Sequence, residues 1–221
     1  MAADLPHTYL DIDIASQRLR LFPERAVFWQ QPQCLLLSDL HLGKADTFRR
    51  YGIAVPQSVQ HADMDRLERV VAQVRPCRCL VLGDFVHGST YGADTVARWR
   101  GLVARYPETD FEVVLGNHDR TLNAAVWGVS VHAPSVQMGT VLLSHEPLPD
   151  TQLRNKLNIH GHIHPAWRAP HSRAKFPALV HQGAHLMMPA FSEFTAGVVP
   201  PSPAQRVWAF LTQEGAVLQV C

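Results

Sequence analysis

Cysteine is scarce in this chain, and the four that occur are badly placed for either of its structural uses. Cys77 and Cys79 stand too close together for a metal knuckle, and Cys34 and Cys221 add no paired spacing. The density of a disulfide-stapled secreted domain is also missing. Four reduced thiols are expected, two of them in buried strands, in a cytoplasmic protein. Charge is sparse too, at 18% of residues and a net +1. That excludes a disordered polyelectrolyte but leaves a polyanionic partner open, because a basic patch fits inside a neutral total. No apolar run approaches the roughly 18 residues of a membrane span. Met1 to Leu10, interrupted by Asp4, Pro6 and His7, lacks the apolar core of a signal peptide. A soluble protein without a membrane partner is expected.

Apolar residues are plentiful, at 47% of 221, and a single domain over 1–221 is the economical reading. Residues 9–29 alternate as a meander of short strands. Cys34 to Ser38 is a strand with no polar face, so both faces should be covered. Gly43 to Pro56 reads as a connector. A helix is predicted over Ser58 to Arg75, striped by Val59, Leu67, Val70, Val71 and Val74 and stopped by Pro76. Strand Cys79–Leu82, helix Ala93 to Tyr106, strand Phe111–Leu115 and a short helix from Thr121 to Trp127 follow. Strand and helix alternate to this point, as in an α/β fold. Beyond Gly128 the pattern turns to strands: Val129–His132, Val141–Ser144, Asn158–His160, Ala178–His181, Gln205–Leu211 and Ala216–Val220. Pro-rich loops (Pro165 to Pro177, Pro189 to Pro203) separate several of them, and two packed sheets with outer helices are expected.

Histidine is the excess, with thirteen in the chain. Several fall in five blocks that share one grammar, an apolar run followed by a turn of metal-seeking side chains. The blocks are Leu35–His41 with Asp39 and His41, Val81–Asp84, Val113–Asp119 with Asn117 and His118, Leu142–His145, and Ile159–His164 with His162 and His164. Open α/β sheets place ligand loops at the carboxyl ends of strands, so all five turns can share one rim. Gly83, Gly116 and Gly161 stand where the backbone must bend without a Cβ in the way. Singly, each block is ordinary: a histidine at a strand end is usually hydrogen-bonded, and Gly-Asp is usually a turn. Five in this order are not explained that way.

The donors are carboxylate, amide oxygen and imidazole with no thiolate, which suits Mn²⁺, Fe or Zn²⁺ better than a structural zinc and leaves room for two such divalent ions. Asp84, alone in its block, is the natural bridging carboxylate. Two divalent ions bring four positive charges, and Asp39 and Asp84 return two. One hydroxide and one phosphodiester monoanion would neutralise the rest. Ions about 3.5–4 Å apart can generate that hydroxide and clamp phosphoryl oxygens for in-line displacement.

Asp39-x-His41, Gly83-Asp84, Gly116-Asn117-His118-Asp119, His145 and Gly161-His162-x-His164 resemble the calcineurin-like metallophosphoesterase superfamily over about residues 34 to 165. The resemblance implies an α/β fold, a four-layer α-β-β-α sandwich. It implies a first ion on Asp39, His41, Asp84 and His164, a second on Asp84, Asn117, His145 and His162, and His118 as the group that protonates the leaving oxygen. Asp119 would orient His118 or cap the following helix. The protein-phosphatase branch has a second Asp, then Arg, where this chain has His87 and Gly88, and an Arg where this chain has Leu115. Protein-phosphatase activity therefore loses ground.

Asp39-Leu40-His41-Leu42-Gly43-Lys44, Phe48-Arg49-Arg50, Gly52-Ile53, Val55-Pro56, Gly83-Asp84-Phe85-Val86-His87, Met188-Pro189-Ala190-Phe191 and Phe194-Thr195 are similar to the ligase-associated DNA-damage-response endonucleases. That similarity implies a Mn²⁺-dependent phosphodiesterase acting on DNA, with single-stranded or flexible regions as substrate. It also implies association with a DNA ligase, a helicase and an exonuclease in bacterial repair. Lys44, Arg49, Arg50 and Arg120 are candidate phosphate contacts, with solvated surface charge as the competing reading. His87 and His160 would support the ligands, act as further acids, or simply pack. His7, His61, His132, His171, His181 and His185 are given no role. The competing functions are a small-molecule phosphodiesterase or phosphohydrolase, on nucleotides or nucleotide-linked substrates, and a binding module that keeps the fold as a scaffold.

Overall fold

The chain builds its site at the ends of two facing sheets. The structure, a computed structural model, describes residues 9–200 and 206–221, with the backbone alone for 57–60. The expectations placed on Met1 to Thr8, on the Val59 side chain and on Gln205 lie outside the described residues. The first sheet runs in order β1 (Leu10–Ile14), β2 (Gln17–Phe22), β3 (Ala26–Trp29), β4 (Cys34–Leu37), β5 (Arg78–Leu82), β6 (Asp110–Val114) and β7 (Ser130–His132). Strands β1 to β4 form an antiparallel meander, and β4 to β7 are parallel. Parallel neighbours need crossovers, supplied by α2 (Gln57–Val74) and α3 (Ala93–Arg105).

The second sheet pairs β8 (Ser135–Met138), β9 (Val141–Ser144), β10 (Leu157–His160), β12 (Lys175–Gln182), β13 (His185–Met187), β14 (Arg206–Leu211) and β15 (Ala216–Gln219), while β11 (Ala166–Arg168) pairs with β12. Its centre, β9, β10 and β13, is parallel, so β9 and β10 end on the same rim.

Period-two alternation divides the apolar side chains between two cores. Leu35, Leu37, Cys79, Val81, Phe111 and Val113 face Met64, Leu67, Val70 and Val71 of α2 and Trp99 and Leu102 of α3. Leu36, Leu80, Leu82 and Val114 face Val141, Leu143, Ile159, Leu186 and Phe210 across the inter-sheet space. Each such burial contributes roughly 1.5–3 kcal/mol. The expected coverage of both faces of the Cys34 strand is therefore present. The layers read helix, sheet, sheet, and a thin fourth, since among the described residues the only helix on the outer face of the second sheet is the one-turn α5 (Asp150–Leu153), whose Asp150 meets His185. None of the four cysteines forms a disulfide, and Cys34 and Cys79 are buried. Among the described residues no helix is long and apolar enough to cross a membrane.

Several local expectations change. The connector from Gly43 holds α1 (Lys44–Arg50), because Asp46 in its first turn accepts from Gly92 N and Thr95 Oγ1 and fixes the segment as a helix. The helix expected from Thr121 splits into a 3₁₀ turn, Asp119–Thr121, and α4 (Ala124–Trp127). Leu122 is extended between them, and Asn123 starts α4 by accepting from Ala125 N and Val126 N. Strands β8, β11 and β13 have no counterpart among the expected elements. All three are three or four residues long, too short to show a period.

The motif around Phe191 proves to be a buttress. Arg66 bonds Asp63 and Glu193, each at 2.8 Å, and Arg25 also bonds Glu193 at 2.8 Å. The segment so held donates from Phe191 N to Ser38 O and from Ser192 N to Asp39 O. Arg66→Met takes the ion-pair partner from the buried Asp63 carboxylate and should cost about 3–5 kcal/mol in urea unfolding. A loss below about 1 kcal/mol would mean the cluster does not brace the fold.

Candidate metal centre

Each candidate ligand sits on the turn after a strand, and the turns are unusual. Asp39 (φ 55°), His41 (49°), Asp84 (48°), His162 (68°) and His164 (51°) all adopt left-handed backbone. Only a few per cent of non-glycine residues do so, and five in one site imply that the surrounding structure dictates the conformation. The hydrogen bonding that holds them is visible. Asp39 N donates to Gly83 O, His41 N to Asp84 O at 2.8 Å, Leu42 N to Phe85 O and His87 N to Leu42 O, so the first two loops run side by side as one ladder. Gly83 is required here by both geometry and space: its φ is 77°, and a Cβ would lie 2.2 Å from His145 Nδ1. At Gly116 a Cβ would lie 2.3 Å from Asp84 N.

Asp39, His41, Asp84, Asn117, His145, His162 and His164 converge. Asp84 divides its carboxylate between two groups of donors. Its Oδ1 lies 3.5 Å from His145 Nε2, and its Oδ2 lies 3.8 Å from His41 Nε2. On one side His145 Nε2 stands 2.9 Å from Asn117 Oδ1 and 3.1 Å from His162 Nδ1. On the other, His164 Nε2 stands 3.0 Å from Asp39 Oδ1. Those last two atoms are buried without a well-aligned hydrogen bond, although they are close. Crowded lone pairs and orphaned acceptors are what a cation would satisfy, so the donor set fits two divalent ions.

Backbone donors pin both carboxylates: His118 N donates to Asp84 Oδ1 at 2.9 Å and His162 N to Asp39 Oδ2 at 3.2 Å. Burial alone would raise the Asp39 pKa, but His164, His145 and Ser38 hold it below the usual carboxylate value. Burial pushes His41 down to about 3 and, with Lys44 and His118 nearby, His87 down to about 4. Both imidazoles are thereby held neutral near pH 7, which leaves His41 a lone pair for a metal.

His118 lies at the open side, with its ring 40% exposed and Nε2 3.9 Å from Asp84 Oδ2. His87 stacks on it at 4.9 Å between centroids and brings Nδ1 within 3.4 Å of His41 Nδ1. Asp119 meets neither of its two expected roles. Instead its buried carboxylate accepts from Phe85 N (3.2 Å), Val86 N (2.9 Å) and Gly116 N (2.9 Å), stitching the Asp84 loop to the Asn117 loop. Nothing in the sequence distinguishes that from capping. His160 turns away, with Nδ1 3.0 Å from Gly161 O on the outer face.

The candidate phosphate contacts divide. Lys44 Nζ donates to Phe194 O at 2.9 Å and lies close enough to Asp84 to feel its charge. Arg49 is engaged by Asp46 and by Val55 O. Arg50 is exposed with one bond to Thr90 Oγ1, and Arg120 is exposed.

The depressed histidine pKa values set a sign for acid stability. Burial also holds His160 at about 4, against an ordinary value near 6.5 when unfolded. Between about pH 6.5 and pH 4 the unfolded chain binds protons that folded His41, His87 and His160 refuse. The urea midpoint of the metal-free protein should therefore fall on going from pH 7.5 to pH 5. A constant or rising midpoint would contradict these burial effects.

The family model described as calcineurin-like phosphoesterase matches residues 33–183. The crystal structure of the nuclease MPE from Pseudomonas putida is similar over 96% of this chain and 100% of that one, with 27% identity and a TM-score of 0.82. YfcE, a phosphoesterase from E. coli, is 15% identical over 85% of this chain and 97% of its own, with a TM-score of 0.46. No curated protein gives a match. With the family model spanning well over half of its residues, the chain belongs to the calcineurin-like phosphoesterase family and is a metal-dependent phosphoesterase.

Proposed function

We propose that this phosphoesterase is a phosphodiesterase with two divalent ions that cuts DNA, single-stranded or flexible stretches first, within bacterial DNA repair. The observation that carries the reading is the division of Asp84 between the His145 and His41 donor groups, with His118 exposed on the open side. The likeness to a nuclease over nearly the whole chain supports a nucleic-acid substrate. A single domain spanning 1–221 would carry the activity.

Asp39, His41, Asp84 and His164 would hold one ion, and Asp84, Asn117, His145 and His162 the other. An oxygen and nitrogen donor set without thiolate favours Mn²⁺, with Fe or Zn²⁺ as substitutes. Bound there, two divalent cations lower the pKa of water and offset the charge that builds on phosphoryl oxygens. The protein's own part is positioning and proton transfer. His118 Nε2 gives its proton to the departing sugar oxygen, and the stacked His87 ring fixes the plane of His118. Lys44, Arg50 and Arg120, with Arg49 behind them, would meet backbone phosphates along the rim. Association with a ligase, a helicase and an exonuclease in the cytoplasm follows from the same motif similarity, and the free thiols support that compartment.

His118→Ala should keep its bound metal and lose about 10²–10⁴ in DNA cleavage. The loss should be smaller on a p-nitrophenyl diester, whose stable phenolate leaves without a proton. Undiminished cleavage of DNA by this variant would remove His118 from the reaction. Replacing Lys44 and Arg50 together by Ser should weaken DNA cleavage and reduce the slope of its salt dependence by about one to two counterions. Equal losses on DNA and on a small diester would instead favour the small-molecule phosphodiesterase reading.

A further inference from the structure

We infer that the cavity on the outer face of the second sheet is a nucleobase pocket, which takes the base of a nucleotide whose phosphate lies at the metal centre. The inference rests on the phosphoesterase reading above and names the substrate chemistry that the reading leaves open. The cavity measures about 520 Å³, within the roughly 300–1,000 Å³ of small-ligand sites. It lies where the fourth layer is thin, α5 being the only described helix on that face.

Its walls continue the metal loops. Pro147 follows the His145 turn, Ile163 stands between His162 and His164, and Val198 N donates to His164 O at 2.9 Å. The same two loops thus border both the rim and the cavity, and a base tethered to a phosphate at the rim would lie along them. Ile163, Met187, Pro147 and Val198 give flat apolar contact, and the Met187 thioether suits an aromatic ring. The polar edge is equally specific. Asp150 Oδ1 lies 3.1 Å from His185 Nε2, and the Asp150 side chain is 87% exposed. Its carboxylate thus keeps acceptor capacity for the ring or exocyclic N–H groups that each of the nucleobases carries. The His185 ring stands edge-on to the buried His160 at 5.5 Å, which fixes it as a wall. An inorganic phosphate or a phosphoprotein would leave all of this unused.

The test compares kcat/KM of the manganese-loaded full chain on thymidine 5′- or 3′-p-nitrophenyl phosphate with that on methyl p-nitrophenyl phosphate. At least one nucleoside ester should be preferred by about tenfold or more, the scale of a base stacked in a pocket. Met187→Phe and Ala184→Phe, which fill the cavity from two sides, should each bring that ratio close to one. A wild-type ratio near one for both nucleoside esters, or a ratio that both variants leave intact, would overturn the pocket. A readout without metal or turnover uses methyl-labelled methionine. Thymidine at millimolar concentration should shift the Met187 methyl resonance of the metal-free protein and leave that of Met64, in the helix-side core, in place. No shift at Met187 overturns the inference even if the variants fail to fold. Single-stranded DNA separates this claim from the DNA reading. Ester preference without DNA cleavage leaves the pocket standing for free nucleotide esters and sinks the nuclease. DNA cleavage without ester preference does the reverse.

Discussion

One carboxylate organises this molecule. Asp84 lies almost wholly buried at the end of β5, between two clusters of imidazoles whose ring nitrogens stand 3.5 Å from its Oδ1 and 3.8 Å from its Oδ2. Without positive charge that arrangement is unfavourable: buried acceptors crowd one another, and Asp39 Oδ1 and His164 Nε2 find no aligned partner. The fold tolerates it because both sheets deliver their loops to one rim and because backbone N–H groups from His118 and His162 hold the two carboxylates. The left-handed backbone at five of the candidate ligands is the conformational cost of that convergence.

Support for the site extends well beyond the residues that would touch a cation. Asp119 joins two loops through three backbone donors, and the Asp63–Arg66–Glu193–Arg25 cluster holds the Phe191 segment under the Asp39 loop. His87, held neutral by burial, backs His118 from one side and approaches His41 from the other. Precision at the rim thus comes from polar contacts over a rigid apolar base. The two cores on either side of the first sheet supply that base.

Much of this is legible in the sequence because strand and ligand share one pattern. The apolar runs of β4, β5, β6, β9 and β10 end at their metal-seeking turns, so one scan finds the element and the residue it presents. The glycines before Asp84 and Asn117 are informative for a physical reason, namely that a Cβ would strike His145 or the Asp84 backbone. What the sequence hides is non-local or short. The role of Asp119 depends on Phe85 and Val86, more than thirty residues away. Strand β13 is three residues whose pairing with β10 and β12 no period announces. Helix α1 depends on Asp46 reaching Gly92 and Thr95. Arg49 has the sequence context of a free cation, yet Asp46 and Val55 engage it.

Anomalous scattering from a crystal soaked in manganese addresses Asp84 itself. Two peaks about 3.5–4 Å apart should appear, one beside Oδ1 with Asn117, His145 and His162 around it, the other beside Oδ2 with Asp39, His41 and His164. A single peak, or none with Asp84 still buried between the imidazoles, would contradict a shared carboxylate and the two-ion chemistry built on it.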